Sequence, residues 1–463
     1  MKNLLLLLCF FSITAFTRAQ IPQLWGTMSI GGPFGVGTII KVNGDGTGFG
    51  KVYSFSTGSP QCNLLPSGNS IIYGVTVSGG THALGEIFSY NSSTNTFASL
   101  YSMDSSQGFY PRGSLVMAAN NKLYGMTSNG GAFNLGVLFS FDPSNNTYVK
   151  LHEFDNTTGQ FPNGSVIQAA NGKLYGMTST GGLNGGGIIF SYDIANNVFT
   201  DVHDFDFSTG SITFGSLLEA GNGLLYGMAF GGGTTGHGVI FSFDPANNNY
   251  TVIHNFNGTD GSAPFAGLTE AANGLLYGNT SQGGANSGGI IFSIDPVGTG
   301  FTKLHDFEDA TGSKPWGGLM QASDGNLYGM TAFGGVNGLG AIFSYNLSSD
   351  IYTKLHDGDF TDGALPYAGF IEYKSITGIG DVDADIAGVK IYPNPSDGNV
   401  TIEMADKYPD GITYTIFNML GEMLETRALT KNVSELWLDY EPGVYMIAVT
   451  SGNNSVTRKM VIR

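Results

Sequence analysis

Short apolar runs, separated by turns rich in glycine and asparagine, recur through most of this chain. In one copy the apolar runs are 215–219, 225–229, 238–243 and 250–256. Gly and Asn accept the positive φ angles of tight hairpin turns, and the Asp-Pro pair after the third run starts a turn. The runs show no helical period, so each copy is predicted to be a four-stranded antiparallel meander.

The meander occurs seven times, and each copy contains a hydrophobic–aromatic–glycine triplet. The triplet glycines step by 48 residues once and by 51 residues five times: Gly26, Gly74, Gly125, Gly176, Gly227, Gly278 and Gly329. A period near 50 is typical of tandem supersecondary units. Such a meander cannot cover its own two apolar faces, so it is expected to stack against copies of itself.

The two ends of the repeat region complement each other. The first copy begins at Leu24 with its second strand, and the last copy is followed by an extra first strand, 365–372, that matches 263–270. We therefore expect an all-β chain in which pairing of the ends closes a seven-bladed β-propeller over residues 20–374.

Composition and targeting signals narrow the environment of the protein. The chain has 463 residues with a formal net charge of −17, which repels phosphate backbones and anionic bilayers and argues against a nucleic-acid partner.

Residues 1–19 resemble a signal peptide, with Lys2 before an apolar segment. Cys9 falls inside it, so Cys62 is expected to be the one cysteine of the mature chain, without an intramolecular disulfide. No membrane span is expected after signal cleavage.

The repeats resemble the Gloeo/Verruco (GloVer) tandem repeat family. Its hallmark is Leu-Tyr-Gly-x-Thr, then a Gly-Gly pair, then Gly-x-Ile/Val-Phe, and the resemblance spans residues 21–373. It implies a repeat architecture and says nearly nothing about activity, because the family is named for its repeat and not for a reaction.

The repeat stops after Tyr373, where an acidic, glycine-rich segment, 375–387, is interpreted as a linker. Residues 388–463 alternate as the strands of a small Ig-like β-sandwich would. They resemble the type A C-terminal sorting domain of the type IX secretion system at Tyr392, Pro393, Asn394, Pro395, Gly421, Gly443, Tyr445 and Lys459.

This second resemblance implies the type IX secretion machinery as a partner and a secreted or outer-surface location in a Bacteroidota-type bacterium. The cargo would be anchored to surface polysaccharide or released. The alternative is an ordinary small sandwich used for binding.

One variable position precedes the first strand of each copy, which we take as the innermost strand of the propeller. Around the ring it is Gln61, Arg112, Asn163, Phe214, Phe265, Trp316 and Tyr367. A rim that is part aromatic and part hydrogen-bonding suits a sugar, which stacks on rings and needs donors and acceptors for its hydroxyls. It suits a peptide equally well, and the alternative is that these side chains only pack against the loop of the next copy.

Histidine recurs at a second repeated position, in the fourth strand: His152, His203, His254, His305 and His356, with Tyr53 and Tyr101 in the other two copies. Equivalent atoms on an outer strand would lie far apart, whereas zinc needs nitrogens at about 2.0–2.1 Å. We expect a structural role, such as bonding a neighbouring backbone group, and assign no metal site and no cofactor.

Carboxylates form a third set. Glu219, Glu270 and Glu372 share a register in the first strand, and two of them could act as acid and base in glycoside cleavage. We expect them instead to satisfy the hairpin turn that follows. The run Asp381, Asp383, Asp385 imitates the start of a calcium loop but lacks its glycine and closing glutamate.

Other catalytic signatures are missing from the sequence. The Gly-Gly loops do not join a strand to a helix and so do not resemble phosphate cradles. No nucleophile elbow occurs, and we assign no catalytic residue.

The sequence favours a secreted or cell-surface binding propeller that engages extracellular polysaccharide or protein. The alternatives are a carbohydrate-active lyase or hydrolase with its site at the channel mouth, and a structural outer-coat protein.

Overall fold

The apolar runs of the repeat form β-strands in the computed structural model of the chain. It describes residues 21–68, 70–373, 390–392, 396–403, 412–418, 423–429, 433–451 and 454–462. The predicted signal peptide, the predicted linker and its three aspartates lie outside these ranges. The chain divides into two compact units at residues 374 and 375.

Within residues 21–68 and 70–373 the strands form seven four-stranded antiparallel sheets. Each sheet runs in chain order from a first to a fourth strand, except that the first strand of sheet 1 comes from the end of the unit. The strands are, for sheet 1, β1 Gln23–Met28, β2 Thr38–Asn43 and β3 Gly50–Ser54, joined by β28 Ile371–Glu372; for sheet 2, β4 Leu65–Pro66, β5 Ile71–Thr76, β6 Glu86–Asn91 and β7 Thr96–Ser102; for sheet 3, β8 Val116–Met117, β9 Leu123–Thr127, β10 Val137–Asp142 and β11 Thr147–Glu153; for sheet 4, β12 Ile167–Gln168, β13 Leu174–Met177, β14 Ile188–Asp193 and β15 Val198–Asp204; for sheet 5, β16 Leu218–Glu219, β17 Leu225–Ala229, β18 Val239–Asp244 and β19 Asn249–Asn255; for sheet 6, β20 Thr269–Glu270, β21 Leu276–Thr280, β22 Ile290–Ile294 and β23 Thr302–Asp306; and for sheet 7, β24 Met320–Gln321, β25 Leu327–Thr331, β26 Ala341–Asn346 and β27 Ile351–Asp357.

The triplet glycine is required by cross-strand packing. In sheet 3, Gly125 of β9 lies opposite Phe139 of β10, and a Cβ on this glycine would stand 2.6 Å from the tip of the phenyl ring. The same contact joins Gly176 to Phe190 in sheet 4. The hallmark glycine and the hallmark phenylalanine of the repeat are therefore one packing unit.

Buried side chains connect the sheets in a closed cycle. Each of seven hydrophobic clusters in the first unit draws on two sheets that are consecutive in the chain, and one of them joins sheet 7 to sheet 1. In that closing cluster Met330 of β25 packs with Leu24 and Phe370, and all three are almost completely buried. Every sheet thus covers its two faces with two neighbours.

The two ends of this unit meet in sheet 1. Strand β28 pairs with β1 through Leu24 opposite Glu372 and Trp25 opposite Ile371. Just before β28, the ring of Phe370 lies 3.0 Å from where a Cβ on Gly26 would be. The strand that the sequence predicted to complete the first copy therefore does so.

A second cycle of contacts joins the fourth strands of neighbouring sheets. The ring at the histidine position stacks on an aromatic ring that lies in or beside the fourth strand of the next sheet, as in His203 on Tyr250, with centroids 4.0 Å apart and planes 10° apart. Tyr101 on Tyr148 repeats the geometry with a tyrosine, and His356 on Phe49 joins sheet 7 to sheet 1. The expected structural role is thus ring stacking and not the backbone bond that we named as an example.

The second unit contains two antiparallel sheets within its described residues. One has the order β29-β30-β33 and the other β32-β31-β34-β35. Their strands are β29 Lys390–Tyr392, β30 Asn399–Glu403, β31 Thr413–Asn418, β32 Met423–Ala428, β33 Val433–Trp437, β34 Gly443–Ser451 and β35 Asn454–Ile462. Val400 and Ile402 from the first sheet share one buried core with Ile416, Ile447 and others from the second.

Removing the closing side chain tests the closed cycle. Phe370 is only 3% exposed, so Phe370→Ala should lower the free energy of unfolding by about 3–5 kcal/mol, through lost transfer energy and the cavity that remains. Phe360→Ala is the matched control, because Phe360 is 61% exposed and should change stability by no more than about 0.5 kcal/mol. Urea unfolding monitored by tryptophan fluorescence measures both. Equal midpoints for the two variants would contradict a role for Phe370 in closure.

The histidine stacks predict loss of stability in acid. Burial lowers the pKa of His152 to about 4 against an ordinary 6.5, and burial also lowers those of His203, His305 and His356. The unfolded imidazoles then take up protons first, so their contribution is complete above pH 6.5 and is lost as the pH falls toward 4. The melting temperature should fall over this window.

Tyrosine already occupies the stacking position in two copies, so the double variant His203→Tyr, His305→Tyr should keep the stacks and flatten the fall in melting temperature. The exposed His82 provides the control His82→Tyr, which leaves all five stacks in place. Thermal unfolding from pH 7.5 to 4.0 measures the three proteins. An unchanged slope in the double variant would show that other groups govern acid unfolding.

Candidate functional site

The seven predicted rim positions line a single cavity of about 220 Å³. Each position lies in the segment that leads into the first strand of its sheet, and the chain orders them Gln61, Arg112, Asn163, Phe214, Phe265, Trp316 and Tyr367. The sequence therefore placed these residues together correctly. The first strands stand beside the cavity, as the choice of innermost strand assumed.

The wall of the cavity is built from close contacts between equivalent segments of neighbouring copies, which we call the inner segments. A Cβ on Gly113 would lie 2.0 Å from the carbonyl oxygen of Gly164, and a Cβ on Gly164 would lie 2.1 Å from that of Gly215. Real Cβ atoms do not approach backbone oxygens so closely. Glycine at these positions therefore sets the spacing of the inner segments around the cavity.

Four side-chain oxygens link five of the inner segments. The backbone N–H of Asn63 donates to Ser114 Oγ at 2.8 Å, that of Ser114 to Ser165 Oγ at 2.7 Å, and that of Ser165 to Ser216 Oγ at 2.9 Å. The N–H of Gly369 donates to Asn63 Oδ1 at 2.7 Å and so connects the last copy to the first whole one. Sequence reasoning missed these residues, although Asn63, Ser114, Ser165 and Ser216 recur at intervals of 51 residues.

Four aromatic rings form one side of the cavity, which we call the aromatic arc. Phe214 stacks on Phe265 with centroids 4.6 Å apart and planes 14° apart, Phe265 lies 5.9 Å from Trp316, and Trp316 lies 4.5 Å from Tyr367. All four side chains remain partly exposed. The rings therefore pack on their neighbours and also line the cavity.

Three polar side chains occupy the other side, which we call the polar arc. The Asn163 amide is fixed, because Nδ2 donates to Ser179 Oγ at 2.7 Å and to the Phe161 carbonyl at 3.1 Å. Among the described residues, Gln61 and Arg112 have no side-chain hydrogen bond and Arg112 has no ion pair. The Arg112 side chain is exposed and that of Gln61 is partly exposed.

The cavity lining has little capacity for acid–base chemistry. The described lining residues contain no Asp, Glu, His or Lys. Cys62 is buried at the position that glycine or alanine fills in the other copies, and burial raises the pKa of its thiol to about 11. This cysteine therefore remains a thiol at neutral pH and is a poor nucleophile.

The glutamate set lies near the inner segments but is engaged in backbone bonds. Glu219 accepts from the N–H of Ala170 at 2.9 Å, Glu270 from Gly221 at 2.8 Å, and Glu372 from Ser323 at 2.9 Å. Each partner lies in the hairpin turn of the preceding copy, whereas we expected the turn that follows. The prediction of a turn-capping role holds and the predicted direction was wrong, because each carboxylate accepts from the turn of the adjacent sheet.

Two further features concern metals and membranes. In the described ranges, no group of three or more His, Cys, Asp and Glu side chains could hold a metal ion. No helix in the same part of the chain is long and apolar enough to cross a membrane.

The tail motif is described in part. Tyr392 closes β29 and donates from its hydroxyl to Glu403 at 2.8 Å. Gly443 opens β34, and Tyr445 donates to the Glu441 carbonyl at 2.7 Å. Lys459 lies on β35 opposite Met446. Pro393, Asn394, Pro395 and Gly421 lie outside the described residues.

Solved structures with a similar fold have distant sequences. A "putative 6-phosphogluconolactonase" from Bacteroides uniformis is 14% identical, with 76% of this chain and 100% of that chain covered and a TM-score of 0.51. A second protein of that description, from Bacteroides fragilis, is 15% identical with 77% and 99% covered and a TM-score of 0.50. TolB from Acinetobacter baumannii is 14% identical with a TM-score of 0.40, and the chain covers 62% of it, less than two thirds. For the two proteins with TM-scores of 0.50 and 0.51, the likeness concerns the fold alone.

Family models identify both units. No curated protein sequence matches the chain. The secretion system C-terminal sorting domain matches residues 390–463, which indicates a secreted or cell-surface protein. The Gloeobacter/Verrucomicrobia repeat matches residues 14–168, 117–285 and 253–377, which together span well over half of the sequence. The chain therefore belongs to the Gloeobacter/Verrucomicrobia repeat family and ends in a C-terminal sorting domain.

Proposed function

We propose that this protein is a non-catalytic binding propeller, exported through the type IX secretion machinery and displayed on or released from the surface of a Bacteroidota-type bacterium. In this proposal the seven sheets are the blades of a seven-bladed β-propeller over residues 20–374. A signal peptide precedes it, a linker over 375–387 follows it, and residues 388–463 form an Ig-like sorting domain. The ligand is an extracellular polysaccharide or protein held in the central cavity.

The observation that carries this proposal is the convergence of the seven rim positions on one cavity. The residues that build the sheets, such as the triplet glycine, recur in every copy, whereas the rim position holds six different residue types in seven copies. Packing alone would be served by one residue type used seven times. Different side chains around one concave site instead support recognition of an asymmetric ligand by rings on one side and hydrogen-bonding groups on the other.

The composition of the cavity supports binding over cleavage. Glycoside hydrolysis uses two carboxyl groups that flank the scissile bond, and the described lining offers none. Glu219, Glu270 and Glu372 bond backbone N–H groups and are spread over separate copies. A structural coat protein, the third alternative, would need neither a concave site nor unpaired polar groups in it.

Truncation of the central tryptophan tests the proposal. Trp316 supplies the largest ring of the aromatic arc, so Trp316→Ala should weaken retention of the ligand by about tenfold or more, since large aromatic anchors dominate binding energies. Trp437→Ala is the matched control, because Trp437 lies in the second unit and is 68% exposed. Binding of the purified protein to immobilised plant and microbial glycans, with chromatography of the soluble fraction, provides the measurement.

The outcomes separate the three functions. Retention without soluble product, weakened in Trp316→Ala and unchanged in Trp437→Ala, supports the binding propeller. Release of shortened glycans would replace it with an enzyme. Absence of binding to every glycan and to surface proteins would favour the coat protein.

A further inference from the structure

On the polar side of the cavity every inner segment donates a backbone N–H to its neighbour, whereas on the aromatic side only the segment of Gly369 does so. On the polar side, the N–H groups of Asn63, Ser114 and Ser165 each donate to a side chain of the next copy. The equivalent N–H groups of Ser216, Gly267 and Gly318 have no acceptor among the described residues. Each of these three residues follows a residue of the aromatic arc by two positions, and all three line the cavity.

The cause is a change of residue type at one repeated position. Where three consecutive copies have serine, the next three have Gly267, Gly318 and Gly369. Gly318 does not need to be glycine for steric reasons, because a Cβ there would have its nearest neighbours at ordinary distances of 3.7 and 3.9 Å. Its backbone φ also lies outside the left-handed region. Glycine at 318 therefore leaves open a place that a serine side chain could fill.

The charge of the lining adds a second argument. The whole chain has a formal net charge of −17, yet the described lining of the cavity contains no carboxylate. Its one basic residue, Arg112, has no ion-pair partner in the described structure. The site is thus rich in hydrogen-bond donors and locally positive on an acidic protein, which selects a ligand rich in acceptors.

A polysaccharide fits this donor-rich site better than a peptide does. Each peptide unit brings an N–H donor along with its carbonyl, so a neutral peptide backbone offers the site no surplus of acceptors. A sugar carboxylate only accepts, and each hydroxyl can accept. A guanidinium binds a carboxylate through parallel bonds, which adds specificity to the attraction of charge.

We propose that the cavity binds an acidic polysaccharide through one uronic acid unit. Arg112 holds the carboxylate, while the N–H groups of Ser216, Gly267 and Gly318 donate to hydroxyl or glycosidic oxygens beneath the aromatic arc. This inference rests on the proposed binding function and specifies its ligand class.

The test fills the open place with the residue that the neighbouring copies use. In Gly318→Ser the new Oγ should accept from the Gly267 N–H, as Ser165 Oγ does from Ser114, so the melting temperature should stay the same or rise. The affinity for a uronic acid oligosaccharide should fall by about tenfold or more, because a hydrogen-bond donor is no longer free for the ligand. Gly50→Ser is the matched control, because Gly50 lies on β3 with nothing within 4 Å of its added Cβ.

The second part of the test compares the affinity of the protein for one uronic acid oligosaccharide with its affinity for the methyl ester of that oligosaccharide. Calorimetry on the full chain should show that esterification of the carboxylates weakens binding by about tenfold or more, and that Arg112→Gln removes this difference. An acidic peptide of equal charge should bind at least about tenfold more weakly than the oligosaccharide.

Each contrary result has a distinct meaning. Equal binding of acid and ester would overturn the recognition of a carboxylate, and unchanged affinity in Gly318→Ser would overturn the role of the backbone N–H groups. Preference for the acidic peptide would overturn the ligand class. Retention of neutral glycans alone would overturn this inference and leave the binding function intact, whereas the absence of any ligand would remove both.

Discussion

The close approach of neighbouring inner segments is the constraint on which the rest of the first unit depends. A carbonyl oxygen of one copy lies where a side chain of the previous copy would begin, as Gly113 against Gly164 demonstrates. This contact fixes how near the first strands stand to one another and how wide the cavity is. The clusters between sheets and the stacked rings farther out then follow, since each sheet has only one position in which both of its faces are covered.

Repeated positions and variable positions have different roles in this structure. Residues that set the geometry are nearly the same in every copy, among them the triplet glycine and the phenylalanine packed on it. The residues that face the cavity differ, and so do the small residues beneath them, where serine changes to glycine halfway around. A repeated scaffold thus carries a site without rotational symmetry, and such a site can discriminate between the two ends or two sides of a ligand.

The sequence predicted the features that depend on chain order and period. The missing strand before Leu24 and the extra strand at 365–372 predicted the pairing of β28 with β1, and a common register brought the rim positions to one cavity. Contacts that cross between copies were harder to predict. A structural role was expected of the histidines, but their stacking on rings of the next sheet was not. Glu219 was expected to cap the turn that follows it and caps the turn of the preceding copy. A single-sequence pattern gives the face on which a residue lies, while its partner on the next sheet depends on how the sheets pack.

The position of the closing strand in the chain has a consequence for quality control during export. Strand β1 lacks its inner partner until residues 371 and 372 have been synthesised, and the sorting domain begins to match at residue 390. A polypeptide released by the ribosome before residue 371 would therefore lack the sorting domain together with the strand that completes its first sheet. Because the sorting domain follows the closing strand in the chain, every growing polypeptide that contains the sorting domain also contains β28. Fragments that lack β28 therefore lack the sorting domain as well.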